Sequence, residues 1–192
     1  SVFSQNKYPQ NYFQNPLEIP LYLSGTFGEL RSNHFHSGLD IKTQQREGLN
    51  VLTSADGYVS RIRVSHWGYG KALYVTHPNG YTTVYAHLKK FSTKIEAYLK
   101  KEQYKKESFE IQLYPKKGAL QLSKGEIIAY TGSTGGFVSP HLHFEIRDKK
   151  SNPINPMLFG VSVKDDSAPR INTLIAYSLG STSQINQSNA PL

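Results

Sequence analysis

The sequence predicts a mostly β protein of antiparallel strands with one amphipathic helix inserted among them. From Gly48 to Tyr85 it is nearly continuous strand signal broken by turns, including the Asn79-Gly80 pair of a tight hairpin. The stretch Ser139-Pro140-His141-Leu142-His143-Phe144-Glu145 alternates strictly. On a strand it sends His141, His143 and Glu145 to one face and Leu142, Phe144 and Ile146 to the other. Apolar residues recur at three- and four-residue steps in one segment, near residues 92–106.

Residues 1–30 read as an extended lead-in. Positions 1–20 are polar and aromatic, broken by Pro9, Pro16 and Pro20, and are expected to lie on the surface of the domain. Leu21 to Gly28 is a short strand-like run ending in a glycine turn. His36 and Asp40 follow, four residues apart, with Leu39 and Ile41 at the alternate positions. Ser37-Gly38 disfavours a helix start, so the pair is expected on a strand, where a separation of four again selects one face. Ala55 to Val59 is a turn feeding the Val59, Ile62 and Val64 region, and Trp67-Gly68-Tyr69-Gly70 is a second turn before Ala72 to Thr76. Past the Asn79-Gly80 hairpin, Tyr81 to Tyr85 returns and ends in Ala86-His87-Leu88, and a strand end can hold a functional side chain rigidly.

Ile95, Tyr98 and Leu99 recur among Lys and Glu in the helical segment. The helix is expected over about 92–106, capped by Ser92 or Thr93 with Glu96 in its first turn. It sits in a lysine-rich insertion, about 89–117. Strand signals resume at Phe109 to Leu113 and at Lys124 to Tyr130. The glycine-rich Thr131 to Gly136 then leads into the His-Leu-His strand. That loop lacks the Lys-Ser/Thr ending and following helix of a phosphate loop, which argues against nucleotide binding. Asn152 to Pro156 closes a domain over 31–160. Residues 161–192 read as a linker, Asp165 to Pro169, and the start of a following module with a strand at Ile171 to Tyr177.

Composition narrows the chemistry. The 192 residues, 38% hydrophobic, are enough to bury a core. No apolar run approaches the roughly 18–20 residues that span a bilayer as a helix. The chain begins at Ser1 rather than Met, which reads as loss of an N-terminal segment, a secretory signal being one candidate. Without cysteine, disulfides, thiolate metal sites and a thiol nucleophile are excluded, so a metal must be held by His, Asp or Glu. The formal charge is +8, and Lys89 to Lys117 holds nine lysines against four glutamates. A basic segment suits a polyanion, but these lysines lack interleaved arginines or a base-stacking pattern. They read as a solvated helix face, and no nucleic-acid partner is expected.

Of the seven histidines, His36, His87, His141 and His143 occupy turn or strand-end contexts together with Asp40. His66 and His77 precede turns and read as surface or turn residues. His34-Phe35-His36 is itself a two-step pair, but Asp40 stands four residues past His36 whereas Gly38 stands four past His34. That favours His36 as a ligand. Two imidazoles and a carboxylate suit a hydrolytic zinc site, which takes three protein ligands and keeps a position open for water. Glu145 shares the site-facing register one step beyond His143, where a supporting hydrogen bond is expected rather than ligation. Tyr85 and Tyr130 read as packing residues.

Together, His36-x-x-x-Asp40, Tyr85-Ala86-His87 and Gly132-Ser133-Thr134-Gly135 leading to His141-x-His143 resemble the M23 metallopeptidases, the lysostaphin- and LytM-type cell-wall endopeptidases. The resemblance runs from about Arg31 to Phe159, interrupted by the lysine-rich insertion. It implies a LytM-like antiparallel β-sheet domain, Zn2+ held by His36, Asp40 and His143, His141 as general base, and His87 polarising the substrate or stabilising the oxyanion. It further implies peptidoglycan stem peptides or cross-bridges as substrate, a cell-envelope location, periplasmic or extracellular, and room for a regulatory protein partner. A non-catalytic LytM-like binding or regulatory module is the alternative. A biotinyl or lipoyl carrier is disfavoured: its half-motifs are visible around Gly57 and Gly125, but the Asn79-Gly80 tip offers no lysine, which leaves a shared β-hammerhead-related architecture.

Overall fold

A computed structural model describes residues 8–31, 34–136 and 139–165, so the linker expected from Asp165 to Pro169 lies largely, and the strand at Ile171 to Tyr177 wholly, outside the described residues. Strands β1 (Leu23–Gly25), β2 (Leu39–Lys42), β3 (Asn50–Leu52), β4 (Gly57–Val64), β5 (Lys71–Thr76), β6 (Thr82–Ala86) and β7 (Leu88–Phe91) precede helix α1 (Thr93–Lys106). Strands β8 (Ile111–Leu113), β9 (Gln121–Leu122), β10 (Ile127–Thr131), β11 (His141–Arg147) and β12 (Pro153–Ile154) follow it, and a short 3-10 turn spans Pro156–Phe159.

The large sheet runs β1-β2-β11-β6-β5-β4-β8, with β12 also paired to β11 and β9 to β4. A small sheet runs β3-β10-β7. The pairings are antiparallel, as the alternating patterns anticipate. Leu142, Phe144 and Ile146 of β11 are fully buried in the main core with Leu39, Ile41, Leu73 and Tyr85. In β4 the buried Val59 and Ile62 stand three apart, and a register shift between Val59 and Arg61 restores them to one face.

Several local expectations meet a different arrangement. The lead-in is not confined to the surface: Phe13 and Leu17 are buried in the main core, and Phe13 packs edge-on against Phe159. Full burial of such side chains stabilises by roughly 1.5–3 kcal/mol each, enough to draw an otherwise irregular segment inward. His36 precedes β2 instead of lying on it. A Cβ on Gly38 would stand 2.4 Å from the Phe144 carbonyl oxygen, so only glycine lets the chain cross this closely over β11 before pairing with it. His77 does sit at its turn but is buried, its nitrogens bonded to the Asp56 carbonyl (2.8 Å) and the Thr83 hydroxyl (2.8 Å).

Helix α1 lies one residue inside its expected span and buries Ile95 and Leu99. Ser92 occupies the N-cap position without a side-chain cap bond. Instead the Glu96 carboxylate accepts from the Phe91 N–H at 3.1 Å, satisfying a donor at the helix entrance. Tyr85 is fully buried and its hydroxyl donates to Ser54 at 3.2 Å, the packing role expected of it. Among the described residues, no helix is long and apolar enough to cross a membrane.

Candidate metal centre and active site

Sheet register assembles the site. Gly25 of β1 lies opposite Asp40 of β2, Asp40 opposite His143 of β11, and His143 opposite Ala86 of β6. This row crosses four strands on the face away from the main core, with two small residues leaving space around the pair in the middle. His36 joins from the loop before β2. The Asp40 Oδ1 atom lies 3.1 Å from His36 Nε2 and 2.9 Å from His143 Nδ1, and the two nitrogens are 3.1 Å apart. Ligands about 2.0 Å from a central ion in tetrahedral array would be separated by roughly 3.3 Å, close to these values.

The outer atoms of the three side chains fix their inner ones. His36 Nδ1 donates to the Thr26 carbonyl at 2.7 Å, and His143 Nε2 donates to Glu145 Oε1 at 2.8 Å. Each imidazole therefore carries its hydrogen on the far nitrogen and turns a lone pair inward. Two lone pairs and a carboxylate oxygen then face one point, an arrangement that calls for a cation; the donor set fits a metal. Without one, a proton must serve. Burial acts against charge at both groups, yet the bonds to His143 and His36 hold the Asp40 carboxyl well below its usual range. Those from Asp40 and Glu145 lift His143 above the ordinary imidazole value.

Glu145 is fully buried and is the hub of the supporting network. Besides His143 it accepts from Ser37 Oγ at 2.8 Å, from the Tyr69 hydroxyl, and from Arg147 Nε at 2.5 Å. Burial opposes its charge, but the bonds from His143 and Arg147 prevail and bring its pKa down to about 2. Tyr69 is pushed above its usual value by burial and by the Glu145 charge, so it remains a neutral phenol. Its ring lies 5.0 Å from that of His143.

His141 and His87 flank the triad, their ring centroids 4.6 Å apart. His141 Nδ1 donates to the Ser139 carbonyl at 2.9 Å, and its Nε2 lies 3.8 Å from Asp40 Oδ1. His87 Nδ1 donates to the Thr134 carbonyl at 2.9 Å. Burial and the neighbouring His141 push the His87 pKa down to about 3, so it is neutral at physiological pH. His87 adopts φ 59°, a left-handed conformation that non-glycine residues visit rarely, at the point where the chain passes from the large sheet to the small one. A cleft of about 400 Å³ opens over the site, bordered by His36, Asp40, His87 and His143 together with Phe35, Gly68 and Tyr69.

The five residues expected to act together are thus brought together. His34 is exposed at the border of the same cleft, while His66 stacks on Phe109 with ring centroids 5.3 Å apart. Sequence reading did not single out Tyr69, Ser37 or Arg31. Tyr69 had a signal, since it stands between Gly68 and Gly70, both in left-handed conformations, and a bulky residue held there is displayed by the turn. Nothing in sequence marks Arg31, which reaches Asp40 nine positions away.

Residues 34–104 match the model of Peptidase family M23. The chain is 32% identical over 128 residues to the DD-carboxypeptidase/endopeptidase Mpg of Neisseria meningitidis, covering 67% of this chain and 23% of the relative. It is 31% identical over 122 residues to the peptidoglycan DD-endopeptidase ShyA of Vibrio cholerae, covering 64% and 22%. The chain therefore spans less than a quarter of the length of these curated relatives. A zinc-containing peptidase from Vibrio cholerae has the same fold, with a TM-score of 0.56, 23% identity, and coverage of 81% of this chain and 41% of that one. Motif order, fold and sequence similarity agree: the chain belongs to peptidase family M23.

Proposed function

We propose that the protein is a zinc-dependent endopeptidase that hydrolyses peptide cross-links of bacterial peptidoglycan in the cell envelope. One observation carries the reading: the inward-facing lone pairs of His36, His143 and Asp40, with two further imidazoles beside them. Two nitrogens and one oxygen match the donor preference of zinc and leave room for a fourth ligand. The names of the relatives Mpg and ShyA support the substrate class.

In this reading His36, Asp40 and His143 hold the ion. When bound, it would supply Lewis acidity to the scissile carbonyl and lower the pKa of a water. His141 accepts the proton of the attacking water at Nε2, because its Nδ1 hydrogen is committed to Ser139. The imidazolium so formed then returns that proton to the leaving amine. His87 likewise turns an acceptor toward the cleft, since Thr134 holds its Nδ1 hydrogen. At rest it orients the water or a substrate N–H, and it becomes a donor to the oxyanion only on taking up a proton. Tyr69 and Glu145 hold the wall of the cleft and the His143 ring in place.

The test is metal analysis of the purified protein together with digestion of sacculi of known cross-link chemistry, products identified by mass spectrometry. One zinc per chain and release of un-cross-linked stem peptides, both abolished by a chelator, are expected. A stoichiometrically loaded protein that leaves the muropeptide profile unchanged would instead establish a binding or regulatory module.

A further inference from the structure

We propose that Arg31 is a positioning residue that confines Asp40 to one-oxygen ligation of the metal, and that Gly25 provides the space for this clamp. The inference rests on the metal-site reading above.

Asp40 has two carboxylate oxygens with different tasks. Oδ1 faces His36 and His143, whereas Oδ2 accepts from Arg31 Nη2 at 2.9 Å. The guanidinium is braced from the other side by Glu29 Oε2 at 3.2 Å. The same Glu29 oxygen accepts the Thr26 N–H at 3.2 Å, and the Thr26 carbonyl in turn fixes His36. One short chain of contacts thus ties the orientation of two candidate ligands to Arg31.

Gly25 faces this pair directly across the sheet. A Cβ there would stand 2.4 Å from Arg31 Nη2 and 2.7 Å from Asp40 Oδ2. Gly25 is not in a left-handed conformation, so its backbone does not demand glycine. The space is needed by the ion pair.

Zinc has no geometric preference of its own among four- and five-coordinate arrangements. A carboxylate with both oxygens free can chelate it, adding a fifth donor and crowding the position that water must occupy. A charge-assisted bond to Oδ2 withdraws that oxygen from the competition. Arg31 is partly exposed, so its contribution is directional rather than a large increment of stability.

Cobalt(II) substitution reads coordination number directly, because four-coordinate cobalt absorbs visible light much more strongly than five- or six-coordinate cobalt. Wild-type protein saturated with cobalt is expected to show the intense four-coordinate bands. Arg31→Met keeps the apolar stem and removes the donors, and Gly25→Ala displaces the guanidinium. Each variant, shown to be folded by circular dichroism, is expected to lose visible absorption intensity at saturating cobalt. Two folded variants that retain wild-type spectra would overturn the clamp, even if their zinc affinity fell, since an arginine that merely braces the fold weakens binding without changing coordination number. Failure of the wild type to take up cobalt would overturn the metal reading itself.

Discussion

At the scale of single residues, the proposed roles separate holding a metal from moving a proton. His143 and Asp40 face each other across β2 and β11 at 2.9 Å, whereas His141 Nε2 lies 3.8 Å from the same oxygen and is committed elsewhere through Nδ1. Asp40→Ala and His143→Ala are therefore expected to abolish metal binding by equilibrium dialysis. His141→Ala is expected to keep the metal while lowering kcat by about 10²–10⁴-fold, the usual contribution of a positioned acid–base group. Loss of metal from that variant would mean that the two histidines of the strand exchange roles. Glu145 gives a second contrast. Glu145→Ala is expected to weaken zinc binding by about 10- to 100-fold, while Glu145→Gln, which keeps an acceptor for His143 Nε2, retains most of it. A chelator competition assay on both variants decides it, and equal losses would point to a simple packing role. Glu145 was legible as a site-facing residue from the period of the strand, but of its four partners only His143 and Arg147 share that strand, while Ser37 and Tyr69 come from two other stretches of chain.

At the scale of elements, two glycine-bearing turns carry the cleft wall. Gly135, at φ 95°, packs so closely that a Cβ would stand 2.1 Å from the Gly68 carbonyl oxygen. This contact docks the glycine-rich loop on the Trp67 to Gly70 turn, and the same loop presents the Thr134 carbonyl that orients His87. Gly135→Ala combines that clash with a strained backbone, which alone is worth about 1–3 kcal/mol. It is expected to lower the denaturation midpoint and turnover while leaving metal affinity near wild type, because none of His36, Asp40 and His143 lies on either turn. Unchanged turnover in the folded variant would show that His87 does not depend on the docking. Sequence identified both turns from their glycines. Their mutual contact was hidden, because it joins segments more than sixty residues apart through backbone atoms that no side-chain pattern reports. The position of His36 was hidden for a similar reason, since the close crossing at Gly38 is a property of two strands together.

At the scale of the whole molecule, loss of stability in acid has an identifiable source away from the candidate metal centre. His77 is buried at the turn of the β5–β6 hairpin, and burial holds its pKa below the ordinary imidazole value. The unfolded chain then binds the proton more readily than the native one, so the contribution of His77 is intact above about pH 6.5 and is lost as the pH falls below it. His77→Gln is expected to be less stable than wild type at pH 7, through loss of two hydrogen bonds, with the difference shrinking toward pH 5 in urea melts. A constant difference would show that His77 does not titrate on unfolding. The sequence by itself determined the β class and the inserted helix and singled out five candidate site residues, because strand period and ordered spacing are local properties. Only the tertiary structure decided that Phe13 and Leu17 join the core, that Asp40 stands opposite His143, and that Arg31 and Glu145 close around Asp40 and His143. Those depend on strand register and on buried polar groups finding partners far away in the chain, and no local pattern encodes either one.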